Sequence, residues 1–87
     1  MIAVPGVIVA LLLPVSHLEK LALIASLVLV LVVELLNSAI EAVVDRVSLD
    51  RHSLSKNAKD LGSAAVMLSF ALALVTWGVV IYPLFGR

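Results

Sequence analysis

Three stretches of apolar residues divide the chain. They cover residues 2–15, 21–44 and 61–85. The second is interrupted by a few polar side chains, and the third carries no charged residue. Backbone polar groups in lipid must be satisfied within a segment, and the third stretch is too long for a strand and lacks the period of two. The pattern therefore predicts an all-α membrane protein with three transmembrane helices per chain.

The polar residues between these stretches predict the boundaries. We expect a single integral-membrane domain over residues 1–87, with spans at about 2–15, 18–45 and 57–84 and a cytoplasmic link at about 46–56. Pro14 is a reasonable stop for the first helix, a polar hinge follows at Ser16–Lys20, and Ser55 is a candidate N-cap for the third helix. Four of the six Lys and Arg residues fall within residues 45–60. The positive-inside rule places that link in the cytoplasm and the C-terminus on the opposite side.

The first predicted span is short. As a helix, residues 2–15 reach about 21 Å, whereas the hydrocarbon core of a bilayer is about 30 Å thick. The simplest explanation is that further residues precede Met1. A tilted first helix in a locally thinned bilayer is the alternative.

Composition supports the membrane interpretation and excludes other classes. Hydrophobic residues make up 63% of the chain, charged residues 14%, and the mean hydropathy is +1.24. Soluble domains are about 45–50% apolar, and one this small could not bury so many aliphatic side chains. The net charge is zero, which gives no indication of nucleic-acid binding. The chain has no cysteine and no phosphate-binding P-loop, so thiolate metal sites and soluble P-loop NTPases are excluded.

The second span carries a polar stripe. At about 100° per residue, all its members lie within a sector about 100° wide. They are Glu34, Asn37, Ser38, Glu41 and Asp45. Several carboxylates on one face repel each other unless a cation intervenes, and Mg²⁺ prefers oxygen ligands. The structural alternative is a carboxylate buried against a Lys or Arg of a neighbouring helix.

The cytoplasmic end of the third span has a similar polar face. Its members are Lys56, Lys59, Asp60 and Ser63. Carboxylates that hold a metal, opposite lysines that hold phosphate oxygens, would suit a nucleoside triphosphate. Lysines bound to lipid headgroups are the alternative. Small residues beside this face, Gly62 among them, favour close helix packing.

Two segments resemble a known family. Residues 34–46, ELLNSAIEAVVDR, and residues 58–66, AKDLGSAAV, are similar to the signature blocks of the prokaryotic diacylglycerol kinases, and more to the Gram-negative branch than to undecaprenol kinases. The resemblance implies a multi-pass homotrimer of the bacterial inner membrane with active sites shared between protomers. It also implies transfer of the γ-phosphoryl group of Mg-ATP to diacylglycerol, a membrane lipid, which gives phosphatidic acid.

The resemblance also implies roles for individual residues. Glu34 would be the catalytic base and would contact the lipid together with Ser63 and Trp77. Glu41 would bind Mg²⁺ and nucleotide, and Asn37 and Asp45 would support the polar network. The other nucleotide-binding residues would be Asp50, Arg51, His52, Lys59 and Asp60. The family's N-terminal surface helix has no counterpart in these residues, so we expect either a segment upstream of Met1 or weak activity.

Two other functions fit the same residues. An undecaprenol kinase would use the same machinery on a polyprenol, and the preferred acceptor distinguishes it. A non-catalytic oligomeric membrane protein would use the stripe for assembly, and it would not consume ATP when a lipid alcohol is added.

Overall fold

The protein is a bundle of three helices. The computed structural model describes residues 3–47 and 53–85. In these residues the helices are α1 (Ala3–Leu12), α2 (His17–Val47) and α3 (Ser53–Phe85). The expectation of an all-helical fold is confirmed. With 31 and 33 residues, α2 and α3 are each about 45–50 Å long.

A capping box starts α2. The Ser16 backbone N–H donates to Glu19 Oε1 at 3.0 Å, and the Glu19 N–H donates to Ser16 Oγ at 3.1 Å. This reciprocal pair satisfies two N–H groups that the first helical turn leaves without partners. The hinge predicted at Ser16–Lys20 is therefore wrong in extent, because the polar residues after Ser16 form the first turn of α2. The bend between α1 and α2 lies at residues 13–15, around Pro14.

The start of α3 also differs from the expectation. The helix begins at Ser53, so Ser55 lies inside its first turn and is not the N-cap. Both long helices extend beyond the apolar stretches into the polar segment between them. The charged residues on either side of that segment are therefore held on helices.

The buried core lies where all three helices meet. Ala10 of α1, Leu23 of α2 and Val80 of α3 form a buried cluster, and Trp77 packs against it. The approach of α1 to α2 is close at Gly6, where an added Cβ would lie 2.7 Å from a methyl carbon of Leu27. The opposite ends of α2 and α3 extend past α1 and carry the polar residues.

Two helices are long and apolar enough to cross a membrane. These segments are His17–Arg46 and Leu54–Phe85, with mean hydropathies of 2.4 and 2.3. The core helix of a soluble protein would be mostly buried, but only 17% of the most apolar window of each segment is buried here. The bundle is 55 Å long, more than the roughly 30 Å of a hydrocarbon core. Both observations favour a membrane protein over a soluble one.

Candidate functional site

The residues of the polar stripe of α2 differ in their exposure. Glu34 is exposed, Asn37 and Glu41 are half-buried, and Ser38 and Asp45 are exposed. The middle of the stripe is therefore partly covered, while Glu34 and Asp45 at its ends and Ser38 at its side stay exposed. This arrangement divides the predicted site into three parts.

The middle part is an amide and a carboxylate packed against a glycine. Asn37 Nδ2 donates to Glu41 Oε1 at 3.2 Å, one helical turn along α2. Gly62 of α3 is buried, and a Cβ added there would overlap Asn37 Oδ1 and would lie 3.2 Å from Asn37 Cγ. Glycine at residue 62 thus lets the Asn37 amide fit between the helices. The sequence indicated Gly62 only as a packing residue and did not identify Asn37 as its neighbour.

The outer part is an ion pair between the helices. Lys59 Nζ lies 2.6 Å from Asp45 Oδ1, and the two side chains are 44% and 64% exposed. A pair this exposed contributes at most about 1 kcal/mol to stability. Its importance is positional, because it places a lysine ammonium beside the end of the acidic stripe.

The inner part is a cleft between α2 and α3. It has a volume of about 460 Å³ and an almost wholly apolar lining. In the part of the chain that the structure describes, Glu34 is the one charged residue of this lining. A single carboxylate beside an apolar cleft suits a ligand with a hydrocarbon body and one polar group.

Most residues that line the cleft were not predicted from the sequence, except Glu34 and Trp77. Besides Ala3 of α1, the lining consists of one set from each long helix: Leu27, Val30, Leu31 and Glu34 from α2, and Phe70, Ala73, Leu74 and Trp77 from α3. Both sets follow the spacing i, i+3, i+4, i+7 of one helical face. A signal was therefore present in the sequence, because Glu34 and Trp77, the two predicted contact residues of this lining, each end such a face. It was hidden because the other faces of the same stretches, residues 27–34 and 70–77, are almost wholly apolar as well.

Other predicted residues are not drawn into these contacts. Lys56, Asp60 and Ser63 are exposed on α3. The predicted nucleotide contacts at Asp50, Arg51 and His52 lie outside the described residues.

The described residues of the stripe offer one half-buried carboxylate, Glu41, as a ligand for a magnesium ion. Among residues 3–47 and 53–85 no three acidic or histidine side chains form a metal cluster. Glu41 offers a half-buried carboxylate beside the buried Asn37 Oδ1, which has no hydrogen-bond partner in the described part of the chain. Mg²⁺ in nucleotide sites is held by one or two carboxylates, with the remaining positions taken by phosphates and water. Glu41 therefore suits a site that the nucleotide completes.

These features define a small all-helical protein with two helices able to span a membrane. Acidic and basic side chains lie at one end of these helices, and an apolar cleft lies beside a carboxylate. Residues 1–81 match the family described as prokaryotic diacylglycerol kinase. The chain belongs to this family, as its signature blocks predicted.

Relatives in the family share much of the sequence. The chain is 59% identical to a diacylglycerol kinase of Pseudomonas aeruginosa over 84% of its own length and 59% of the relative's. It is 48% identical to a diacylglycerol kinase of Escherichia coli over 93% of its own length and 66% of the relative's. A diacylglycerol kinase of Haemophilus influenzae is 43% identical over 77% of this chain and 57% of the relative. The chain thus spans about three-fifths to two-thirds of the length of these relatives.

Proposed function

We propose that this protein is an ATP-dependent lipid kinase that phosphorylates diacylglycerol to phosphatidic acid. The observation that carries the proposal is the apolar cleft with Glu34 in its lining. Diacylglycerol has two acyl chains and one free hydroxyl, which matches a cleft of that composition. The relatives' names support the same acceptor.

Glu34 acts as the general base in this proposal. Its carboxylate accepts the proton of the lipid hydroxyl while the hydroxyl oxygen forms a bond to the γ-phosphorus. The bond between that phosphorus and the bridging β–γ oxygen breaks, and ADP leaves with the electron pair. Phosphoryl transfer requires mainly positioning and charge neutralisation, so a small set of side chains is sufficient.

The polar residues beyond Glu34 hold the nucleotide in this proposal. Glu41 lies seven residues further along α2, about 10 Å away. Glu41 would hold Mg²⁺, which neutralises charge on the phosphate oxygens when bound, and Asn37 orients the Glu41 carboxylate. Lys59 contacts phosphate oxygens, and its ion pair with Asp45 exchanges for the nucleotide. A triphosphate held at these residues must extend toward Glu34 for its terminal phosphoryl group to meet the lipid.

The assembly proposed is a homotrimer in the bacterial inner membrane, with three spans per chain and sites shared between protomers. The exposed Glu34 and the many exposed apolar side chains support association, because a carboxylate that faces lipid is costly. The segment between α2 and α3 faces the cytoplasm, where ATP is available. Nucleic acid is not a partner in this proposal.

The test is a phosphatidic acid assay with defined acceptors. The chain and, for comparison, the Pseudomonas aeruginosa relative are reconstituted in nanodiscs and given Mg-ATP with diacylglycerol, undecaprenol or no acceptor. We expect the chain to transfer phosphoryl groups to diacylglycerol. Preference for undecaprenol would make the protein a polyprenol kinase. No transfer by the chain to any acceptor, under conditions in which the relative is active, would contradict a kinase function.

Removing the charge of Glu41 should weaken nucleotide binding. We expect Glu41→Gln to raise the Kd for Mg-ATP by about tenfold or more, since a neutral amide is a poor ligand for Mg²⁺. The variant should remain folded, because glutamine keeps an oxygen that accepts from Asn37 Nδ2. Calorimetric titration measures the Kd, and circular dichroism checks the fold. An unchanged Kd in a folded variant would exclude Glu41 as the metal ligand.

The oligomeric state is a separate prediction. We expect a trimer in mild detergent, by light scattering corrected for bound detergent. A monomer under those conditions would contradict sites shared between protomers.

A further inference from the structure

A buried hydroxyl joins the two long helices through the one tryptophan of the chain. Trp77 Nε1 donates a hydrogen bond to Ser26 Oγ at 3.1 Å. Ser26 Oγ in turn donates to the carbonyl oxygen of Leu23 at 2.7 Å. Ser26 is only 6% exposed. These groups form a chain of hydrogen bonds from an indole on α3 to the backbone of α2.

The order of donors fixes the direction of the hydroxyl. A serine hydroxyl has one hydrogen and accepts through its lone pairs, whereas an indole N–H only donates. Because the Ser26 hydrogen is directed to the Leu23 carbonyl, its lone pairs are free for the indole. An indole N–H without a partner in an apolar interior is costly. The bond therefore favours one orientation of the Trp77 ring.

That orientation shapes the cleft. Trp77 lines the cleft together with Glu34. The same indole packs against the buried cluster that contains Ala10 and Val80. A rotation of the ring would change the space beside the Glu34 carboxylate and disturb this packing.

We infer that Ser26 is a positioning residue for the lipid acceptor, because it holds the Trp77 indole in the orientation that shapes the cleft beside Glu34. Ser26 acts through Trp77 and is not among the described residues that line the cleft. The effect on the lipid rests on the proposed function. The hydrogen bond and its effect on the indole do not.

Ser69 of α3 is a matched control. It is 5% exposed, and its hydroxyl donates to the carbonyl of Val66, three residues earlier, at 2.7 Å. Ser26 has the same burial and the same bond to a carbonyl three residues earlier. The two serines differ because Ser26 Oγ also accepts a hydrogen bond from the Trp77 indole. A substitution by alanine therefore removes the same local bond at both, and the indole contact only at Ser26.

The first measurement needs no turnover. Because Trp77 is the only tryptophan, tryptophan emission and resonance Raman bands report on this indole alone. In nanodiscs we expect Ser26→Ala to move the band that senses indole hydrogen bonding to its unbonded position and to shift the emission maximum. Ser69→Ala and Ser26→Thr, which keep the hydroxyl at residue 26, should retain the wild-type spectra. Wild-type spectra in Ser26→Ala would overturn the inference.

The second measurement follows the lipid. Diacylglycerol with brominated acyl chains quenches a nearby indole, so half-maximal quenching reports binding without turnover. We expect Ser26→Ala to raise the half-quenching concentration and the KM for diacylglycerol by about three- to tenfold, as for the loss of one hydrogen bond. The KM for ATP should not change, and Ser69→Ala should match the wild type.

A double-variant cycle separates the indole contact from other effects of the serine. In a Trp77→Phe background, which lacks the N–H, Ser26→Ala should change the KM for diacylglycerol no further. If Ser26→Ala raised the KM for diacylglycerol as much in the Trp77→Phe background as in the wild type, the positioning role would be overturned. Altered spectra of Ser26→Ala with wild-type quenching by the brominated lipid would overturn it as well. Normal quenching without phosphoryl transfer in the wild type would contradict the proposed function alone.

Discussion

Glu34→Gln is expected to lower phosphatidic acid formation by about 10²- to 10⁴-fold, the usual contribution of a general base. Glutamine has nearly the same shape but does not accept the hydroxyl proton. The Kd for Mg-ATP should stay close to that of the wild type, because Glu34 lies about 10 Å along α2 from Glu41. Turnover with radiolabelled ATP and nucleotide titration on the same preparation measure both quantities.

The matched control for this prediction is Glu19→Gln. It makes the same chemical change on the same helix, and glutamine at that position still completes the capping box with Ser16. We expect wild-type transfer from it. Full activity in Glu34→Gln would remove Glu34 from the mechanism. Loss of both transfer and nucleotide affinity in Glu34→Gln would show that this carboxylate supports the nucleotide instead of the lipid.

The helices and the polar stripe could be predicted from the sequence because each depends on local spacing. Glu34, Asn37 and Glu41 lie on one face of any α-helix, whatever packs against it. The uninterrupted apolar run of α3 similarly allowed no element except a helix. The predicted start of the second span at about residue 18 agrees with His17 to one residue. The hinge predicted at Ser16–Lys20 was too long, although Ser16 and Glu19 have the spacing of a capping box.

The contacts between helices could not be predicted in the same way, since they depend on the register of α2 against α3. No local pattern indicates that Asn37 faces Gly62, or that Ser26 lies opposite Trp77, 51 residues away. Mostly apolar residues surround Ser26 and Trp77 on every face, so hydrophobic periodicity defines no direction there. At Asn37 and Gly62 the polar face defines a direction but not the residue that lies opposite on the other helix. Only the packed structure identifies these pairs. The Asn37–Gly62 contact joins the stripe of α2 to α3, and the Ser26–Trp77 hydrogen bond joins the two helices beside the cleft.

Gly62→Ala is expected to have a larger structural effect than the same substitution at Gly6 or Gly78, the other two glycines of the described helices. The new Cβ would overlap Asn37 Oδ1, so either the helices separate or the amide rotates away from Glu41. Overpacking of this kind costs about 1–3 kcal/mol. The amide is the end of a side chain and moves more easily than the backbone, so we expect loss of nucleotide affinity together with a lower thermal midpoint. Thermal unfolding in detergent and titration with Mg-ATP measure the two effects.

Two further variants test whether the contact with the Asn37 amide causes the loss of stability in Gly62→Ala. At Gly78 an added Cβ meets no heavy atom within 4 Å, so Gly78→Ala should leave stability unchanged or raise it by up to about 1 kcal/mol through helix propensity. In an Asn37→Ala background the space opposite Gly62 is empty, and Gly62→Ala should then cost little stability. Nucleotide affinity should stay low in that double variant, because the amide that orients Glu41 is absent. A thermal midpoint that falls equally in both backgrounds would show that the added methyl group meets the backbone of α2 and not the Asn37 amide.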